Sequence, residues 1–163
     1  MAAEIFPASV EFVPFDTRVG RERYIACYED AWRIAHGSLA GFRADTAWYA
    51  ALQRASDDPA SLTELRVGEE FAGVLCLDEK RGQFRRLGWI AFCYIVPERR
   101  GQGLGRTMLD YAAAHFRARG RKAMCLTVAP GNPALGFYRQ IGFSCVGTEP
   151  GALEDLYVME RKL

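Results

Sequence analysis

The chain has 163 residues, half of them hydrophobic and a quarter charged, the profile of one folded domain that buries a core and too short for two full-sized ones. A formal charge of +1 supplies no global field toward nucleic acid or an anionic membrane, so charge recognition has to be local. Cys27, Cys76, Cys93, Cys125 and Cys145 are odd in number, lie in apolar stretches and lack metal-ligand spacing, which predicts buried thiols in a reducing compartment.

Met1 to Pro7 has no basic region followed by a long apolar run, and no later segment has the length of a membrane span, so a soluble cytoplasmic protein is expected. Val10, Phe12 and Val13 predict a first strand, after which Asp16 or Thr17 offers a side-chain cap to a helix running through Tyr24 and Trp32 to His36-Gly37. A second helix carries Trp48, Tyr49 and Leu52 as far as the Ser56 to Pro59 breaker. Leu62 to Val67 and Phe71 to Leu77, joined by Gly68-Glu69-Glu70, form a predicted hairpin, followed by a polar turn at Lys80 to Gln83.

Leu87 to Val96 is almost wholly apolar and ends at Pro97, as expected of a central strand covered on both faces. Leu104, Met108, Ala112 and Phe116 recur at helical spacing up to Gly120, and Met124 to Val128 is the next strand. Asn132-Pro133 opens a last helix that ends near Gly142, and Phe143 to Val146 and Leu156 to Met159 close the chain as strands. The expected fold is α/β (α+β): one domain over residues 1–163, a mixed, partly parallel sheet with about four helices on its faces.

The segment Pro97 to Arg106 joins the buried strand to the amphipathic helix. A helix start leaves backbone N–H groups unpaired, and glycines let an anion approach them closely, so this turn can hold a pyrophosphate with Arg100 and Arg106 adding charge at either end. It lacks the Lys-Ser/Thr ending of a nucleotide-triphosphatase loop, and the third glycine of a dinucleotide fingerprint would fall at Met108. A turn that merely starts a helix is the plain alternative.

Arg100-Gly101-Gln102-Gly103-Leu104-Gly105 resembles the acetyl-CoA loop of the GNAT superfamily, and the stretch from Asn132 through Tyr138 to Gly142-Phe143 resembles its later motif. Asn132 and Tyr138 stand one residue closer than in many members, and read alone they are a helix cap and a core aromatic. The resemblance implies an N-acetyltransferase that uses acetyl-CoA, with no metal, and a single GNAT domain. It implies that the strands ending at Pro97 and Val128 splay apart, that Tyr94 and Ile95 face the cofactor through their backbones, and that the Ile95 N–H donates to the thioester oxygen. An ordinary ladder bond is the alternative for that N–H.

By the same resemblance Arg100, Gly101, Gln102, Gly103, Leu104, Gly105, Arg106 and Asn132 join Tyr94, Ile95 and Tyr138 at the cofactor, and Tyr138 protonates the leaving sulfur. The strand from Leu87 to Val96 carries no Asp or Glu, so the base stays open among Glu98, Glu29, Asp30 and His36, the last three reached through water. His36 and His115 read as helix-surface residues, and Cys93 and Cys125 as neighbours on strands at the cleft, which makes an acetyl-cysteine route conceivable beside direct transfer. Trp32, Trp48 and Tyr49 would wall the acceptor site or lie in the core. The expected reaction moves acetyl from acetyl-CoA to a primary amine, of a small molecule or a peptide, by direct attack in a ternary complex. A non-catalytic acyl-CoA sensor or interaction module is the rival, and a homodimer is allowed.

Overall fold

In the computed structural model residues 8–163 are described, so Met1 to Pro7, read above for the absence of a leader, lie outside it. The elements follow the expected order: β1 (Val10–Pro14), α1 (Arg21–His36), α2 (Ala44–Asp57), β2 (Leu62–Val67), β3 (Glu70–Asp78), β4 (Leu87–Ile95), α3 (Leu104–Ala118), β5 (Ala123–Val128), α4 (Ala134–Gln140), β6 (Ser144–Pro150) and β7 (Asp155–Lys162). One seven-stranded sheet runs β1-β2-β3-β4-β5-β7-β6. Among the described residues only β4 and β5 pair in parallel, with α3 as the crossover between them. The mixed α/β architecture expected from the sequence is therefore present.

Two large cores flank the sheet because its central strands are apolar on both faces, and a small third cluster joins Leu87 and Trp89 to Ala123 and Cys125. In β3, Val74 and Cys76 pack with Tyr24 and Cys27 of α1 and Trp48 and Ala51 of α2. Leu75 and Leu77 turn to the other face and meet Met108, Leu109, Ala112 and Phe116 of α3. Those α3 residues recur every three or four positions, which puts them on one stripe of the helix. Both layers are thus fixed by strand period two against helix period 3.6.

Helix ends follow local chemistry, with two differences from expectation. Gly37 takes φ +73 and its N–H bonds the Arg33 carbonyl, ending α1 where predicted. No side chain caps its start: α1 begins after Gly20, and the Asp16 carboxylate instead accepts from the Arg18 N–H at 3.0 Å and its guanidinium at 2.9 Å. A strong local partner two residues away has displaced the capping role. α4 starts one residue later than expected, at Ala134, whose N–H donates to Asn132 Oδ1 at 2.9 Å.

Gly88 sets how closely α3 approaches the sheet, since a Cβ there would lie 2.3 Å from Phe116 Cγ. Phe116 is fully buried and has no room to yield. Gly88→Ala is therefore expected to destabilise the fold by about 1–3 kcal/mol, the usual cost of overpacking, measured as a fall in the denaturant midpoint. An unchanged midpoint would show that α3 can shift away from β4.

Candidate active site

β4 and β5 pair only through Leu87, Gly88 and Trp89 against Ala123, Met124 and Cys125. Just past that point β4 carries an extra residue: Cys76 of β3 pairs with Phe92 and Leu77 with Ile90, leaving Ala91 in a bulge. The bulge bends the strand away from β5 and reverses its facing. Ile90 lies in the α3-side core, whereas Phe92 and Tyr94 lie in the α1–α2 core.

Beyond the bulge the two edges of β4 have different fates. The Val96 N–H donates to the Ala72 carbonyl of β3 at 2.9 Å, and antiparallel alternation then turns the Tyr94 N–H to β3 as well. The N–H groups of Cys93 and Ile95 consequently face the gap left by β5. The Ile95 carbonyl faces the same way and accepts from Arg100 Nε at 2.9 Å. Tyr94, expected to present its backbone to the cofactor, spends it on the β3 ladder and offers only its ring.

Three cavities with shared walls occupy the gap. The outer one, about 330 Å³, is bounded by Tyr94, Ile95, Arg100 and Pro133. The central one, about 190 Å³, shares Cys93, Asn132 and Tyr138 with it and adds His36 and Phe92. The far one, about 410 Å³, shares Tyr28, Trp32, Ile90, Ala91 and Thr127 with the central cavity. Together they form a row of adjoining cavities, the channel, along β4 from its C-terminal end, past the bulge, to Trp89.

Of the residues around the central cavity, four carry protons that can move. Burial pushes the Cys93 thiol up to about 12. The Tyr138 phenol is raised far above its usual range by burial and by Cys93 beside it, and burial also raises Tyr28. All three therefore stay protonated at neutral pH. His36 is the fourth; its side chain is 9 % exposed and its Nδ1 lies 3.5 Å from Glu154 Oε1, with Trp32 against its ring at 4.5 Å between centroids.

The glycine loop meets the outer end of the channel. Gly101 and Gly103 have φ +74 and +81, and a Cβ on either would touch nothing within 4 Å. Gly103 stands at the N-terminus of α3 with no side chain capping it. The first intrahelical bond goes from the Thr107 N–H to the Gly103 carbonyl, which leaves the N–H groups of Leu104, Gly105 and Arg106 without helical partners. Donors converging on open space at the positive end of a helix fit a pyrophosphate. The Leu104 side chain is buried in the core, Gly105 sits where a Cβ would come 3.1 Å from the Phe137 ring of α4, and the Arg106 side chain is exposed.

The profile of the acetyltransferase (GNAT) family matches residues 18–143. The chain belongs to that family. Its fold is shared by solved GNAT structures: the PaiA N-acetyltransferase of Thermoplasma acidophilum in complex with coenzyme A is 16 % identical, with 95 % of this chain and 99 % of that one covered and a TM-score of 0.66. Ard1 from Thermoplasma volcanium is 20 % identical over 94 % and 97 %, with a TM-score of 0.68. The ribosomal-protein-S18-alanine N-acetyltransferase of Escherichia coli is 17 % identical over 94 % of both chains, with a TM-score of 0.64. No curated protein matches the sequence.

Within the GNAT fold the expected site residues divide. Ile95, Asn132 and Tyr138 line the channel, and Gly101 to Arg106 form its glycine loop with Gln102 Nε2 held 3.4 Å from the Glu98 carbonyl. Arg100 is turned inward: besides Ile95 it bonds Asp30 Oδ2 at 3.2 Å, and Asp30 also accepts from the Tyr94 hydroxyl at 2.6 Å. Trp32 walls the channel, but Trp48 is 5 % exposed in the core and Tyr49 is 68 % exposed. Cys125 pairs with Trp89 and bonds Glu160, away from Cys93, and Cys145 is exposed.

Neither histidine lies on the surface. His115 is buried against Glu79, and Arg119 reaches both Glu79 and Asp58, so a guanidinium already balances that acidic group. The pairing of His36 with Glu154 across the fold was not visible in the sequence, where the two lie far apart. Among the described residues no helix is long and apolar enough to cross a membrane.

Gly103→Val is expected to abolish coenzyme A binding by calorimetry while costing the fold about 1–2 kcal/mol from its left-handed backbone. Gly136→Ala in α4, where a Cβ touches nothing, should leave that affinity unchanged. Equal affinity of the Gly103→Val and parent proteins would remove the loop from the binding site.

Proposed function

We propose that the protein transfers acetyl from acetyl-CoA to a primary amine by direct attack within a ternary complex. The observation that carries this reading is the central cavity, where a proton donor, Tyr138, and a proton acceptor, His36, line one space between the glycine loop and an aromatic-walled pocket. When bound, acetyl-CoA supplies an activated thioester. The uncapped α3 terminus fits its pyrophosphate, and the unpartnered edge of β4 fits an extended amide-bearing arm entering the gap.

Each residue then has a task set by its surroundings. The Cys93 and Ile95 N–H groups are oriented donors along the arm. Cys93 lies beside Tyr138 and lines both the outer and central cavities, whereas Ile95 lines the outer one alone. Cys93 N–H is therefore the better placed of the two to stabilise charge on the thioester oxygen at no reorganisation cost. His36 takes the proton that the acceptor ammonium must lose before its nitrogen can bond the acetyl carbon. Tyr138 donates a proton to sulfur as the C–S bond breaks.

His36 is chosen over the other bases by position. Glu98 is exposed on the turn after β4, Glu29 faces Arg33, and Asp30 is engaged by Tyr94 and Arg100. Glu154 beside Nδ1 favours the tautomer that leaves Nε2 free to accept. The Cys93 thiol, held protonated by burial, is a poor nucleophile, which favours direct transfer over an acetyl-cysteine. A binding module with no turnover would need neither the donor nor the acceptor.

Tyr138→Phe should lower single-turnover rates about tenfold to a thousandfold and leave acetyl-CoA affinity nearly intact, since the ring and its packing survive. A mutant that instead loses affinity would make the hydroxyl a ground-state contact and revive the non-catalytic reading. His36→Gln should cost about a hundredfold to ten-thousandfold, with the deficit shrinking as pH rises and the acceptor amine deprotonates unaided. A deficit independent of pH would assign His36 a structural role.

A further inference from the structure

The far cavity adjoins the proposed transfer centre and has a chemical bias of its own. Tyr28, Trp32, Phe42 and Trp89 form its apolar walls. Its charged groups are three arginines, Arg43, Arg54 and Arg81, and a single carboxylate, Asp78.

That carboxylate is already engaged. Asp78 accepts from Arg54 Nε at 3.3 Å and from the N–H groups of Lys80 and Arg81 at 3.1 and 2.9 Å. Arg81 stacks on the Trp89 ring at 3.4 Å and pairs with Glu149, which is not among the cavity's walls. Arg43, at the start of α2, has no acidic partner among the described residues and is exposed. An ammonium entering here would meet three guanidinium groups and a carboxylate that already accepts three hydrogen bonds. An anion would meet an unpaired Arg43, with Arg54 and Arg81 near it.

We infer that the acceptor is a small molecule with an anionic group at one end and the reacting amine at the other, the anion held against Arg43 in the far cavity and the amine beside His36 in the central one. Being a statement about the acceptor, it rests on the acetyltransferase reading. The two cavities adjoin, but Arg43 lines the far one and not the central one, and His36 the central one and not the far one. An α-amino acid, with amine and carboxylate on one carbon, would keep both groups in one cavity. An aromatic or alkyl spacer separates them and suits the ring-lined walls.

The test uses two probes of one shape, 4-(aminomethyl)benzoate and its neutral analogue 4-(aminomethyl)benzamide, titrated calorimetrically into protein saturated with coenzyme A. The benzoate should bind about tenfold more tightly at low salt. Its advantage should shrink in high salt, as a partly exposed charge contact must, and disappear in Arg43→Gln, whose side chain supports nothing in the core. Equal binding of the two probes, tighter binding of the benzamide, millimolar or weaker binding of both, or an advantage untouched by Arg43→Gln would each overturn the inference. Acetyl transfer is read separately by thiol release. Benzoate preference without any transfer keeps the anion site and removes the transferase reading; transfer to both probes at equal affinity does the reverse.

Discussion

The functional architecture depends on one interruption of backbone pairing. β4 and β5 share three residue pairs and then part, and the extra residue at Ala91 is what turns β4 away. A central strand without a partner on one edge leaves N–H and C=O groups that demand an alternative. In this molecule Arg100 answers the Ile95 carbonyl, while the Cys93 and Ile95 N–H groups stay available to a ligand. The same bend exchanges the faces of the strand, so that Phe92 and Tyr94 support α1 and the channel opens between two separately packed layers. Neither core has to be disturbed to make the site.

Most of this frame was legible in the sequence because it is written in local terms. The apolar run of β4, its stop at Pro97, the glycines before α3 and the stripe of α3 all depend on neighbours within a few positions. The bulge was not legible. In a stretch where every residue from Trp89 to Val96 is apolar, a one-residue change of phase leaves no trace in the pattern. With the phase unknown, the backbone directions of Tyr94 and Cys93 are open in the sequence too.

The second gap concerns partners distant in sequence. His36 reads as a surface residue at a helix end until β6 and β7 bring Glu154 to it. Trp32 and Trp48 look equivalent on two early helices, yet one lines the channel and the other is sealed in the core against Phe15 and Tyr24. Asp16 was read as a cap because composition cannot show that Arg18 would claim it. In each case the side chain's role was set by a competitor that chemistry alone could not rank.

Asp30 has a consequence for how the two ligands influence each other. Its carboxylate holds the Tyr94 hydroxyl and Arg100 together, and it sits on α1, the same helix that carries Tyr28, Trp32 and His36 into the channel. One anion therefore joins the arginine at the edge of the glycine loop to the helix whose residues line the central cavity. A ligand that drew Arg100 off Asp30 would cut that tie, and a ligand that displaced α1 would strain it. Linkage would make the two effects equal: whatever factor one ligand imposed on the affinity of the other, it would receive in return. The carboxylate through which they would communicate touches neither of the cavities' proton-bearing groups, Tyr138 and His36.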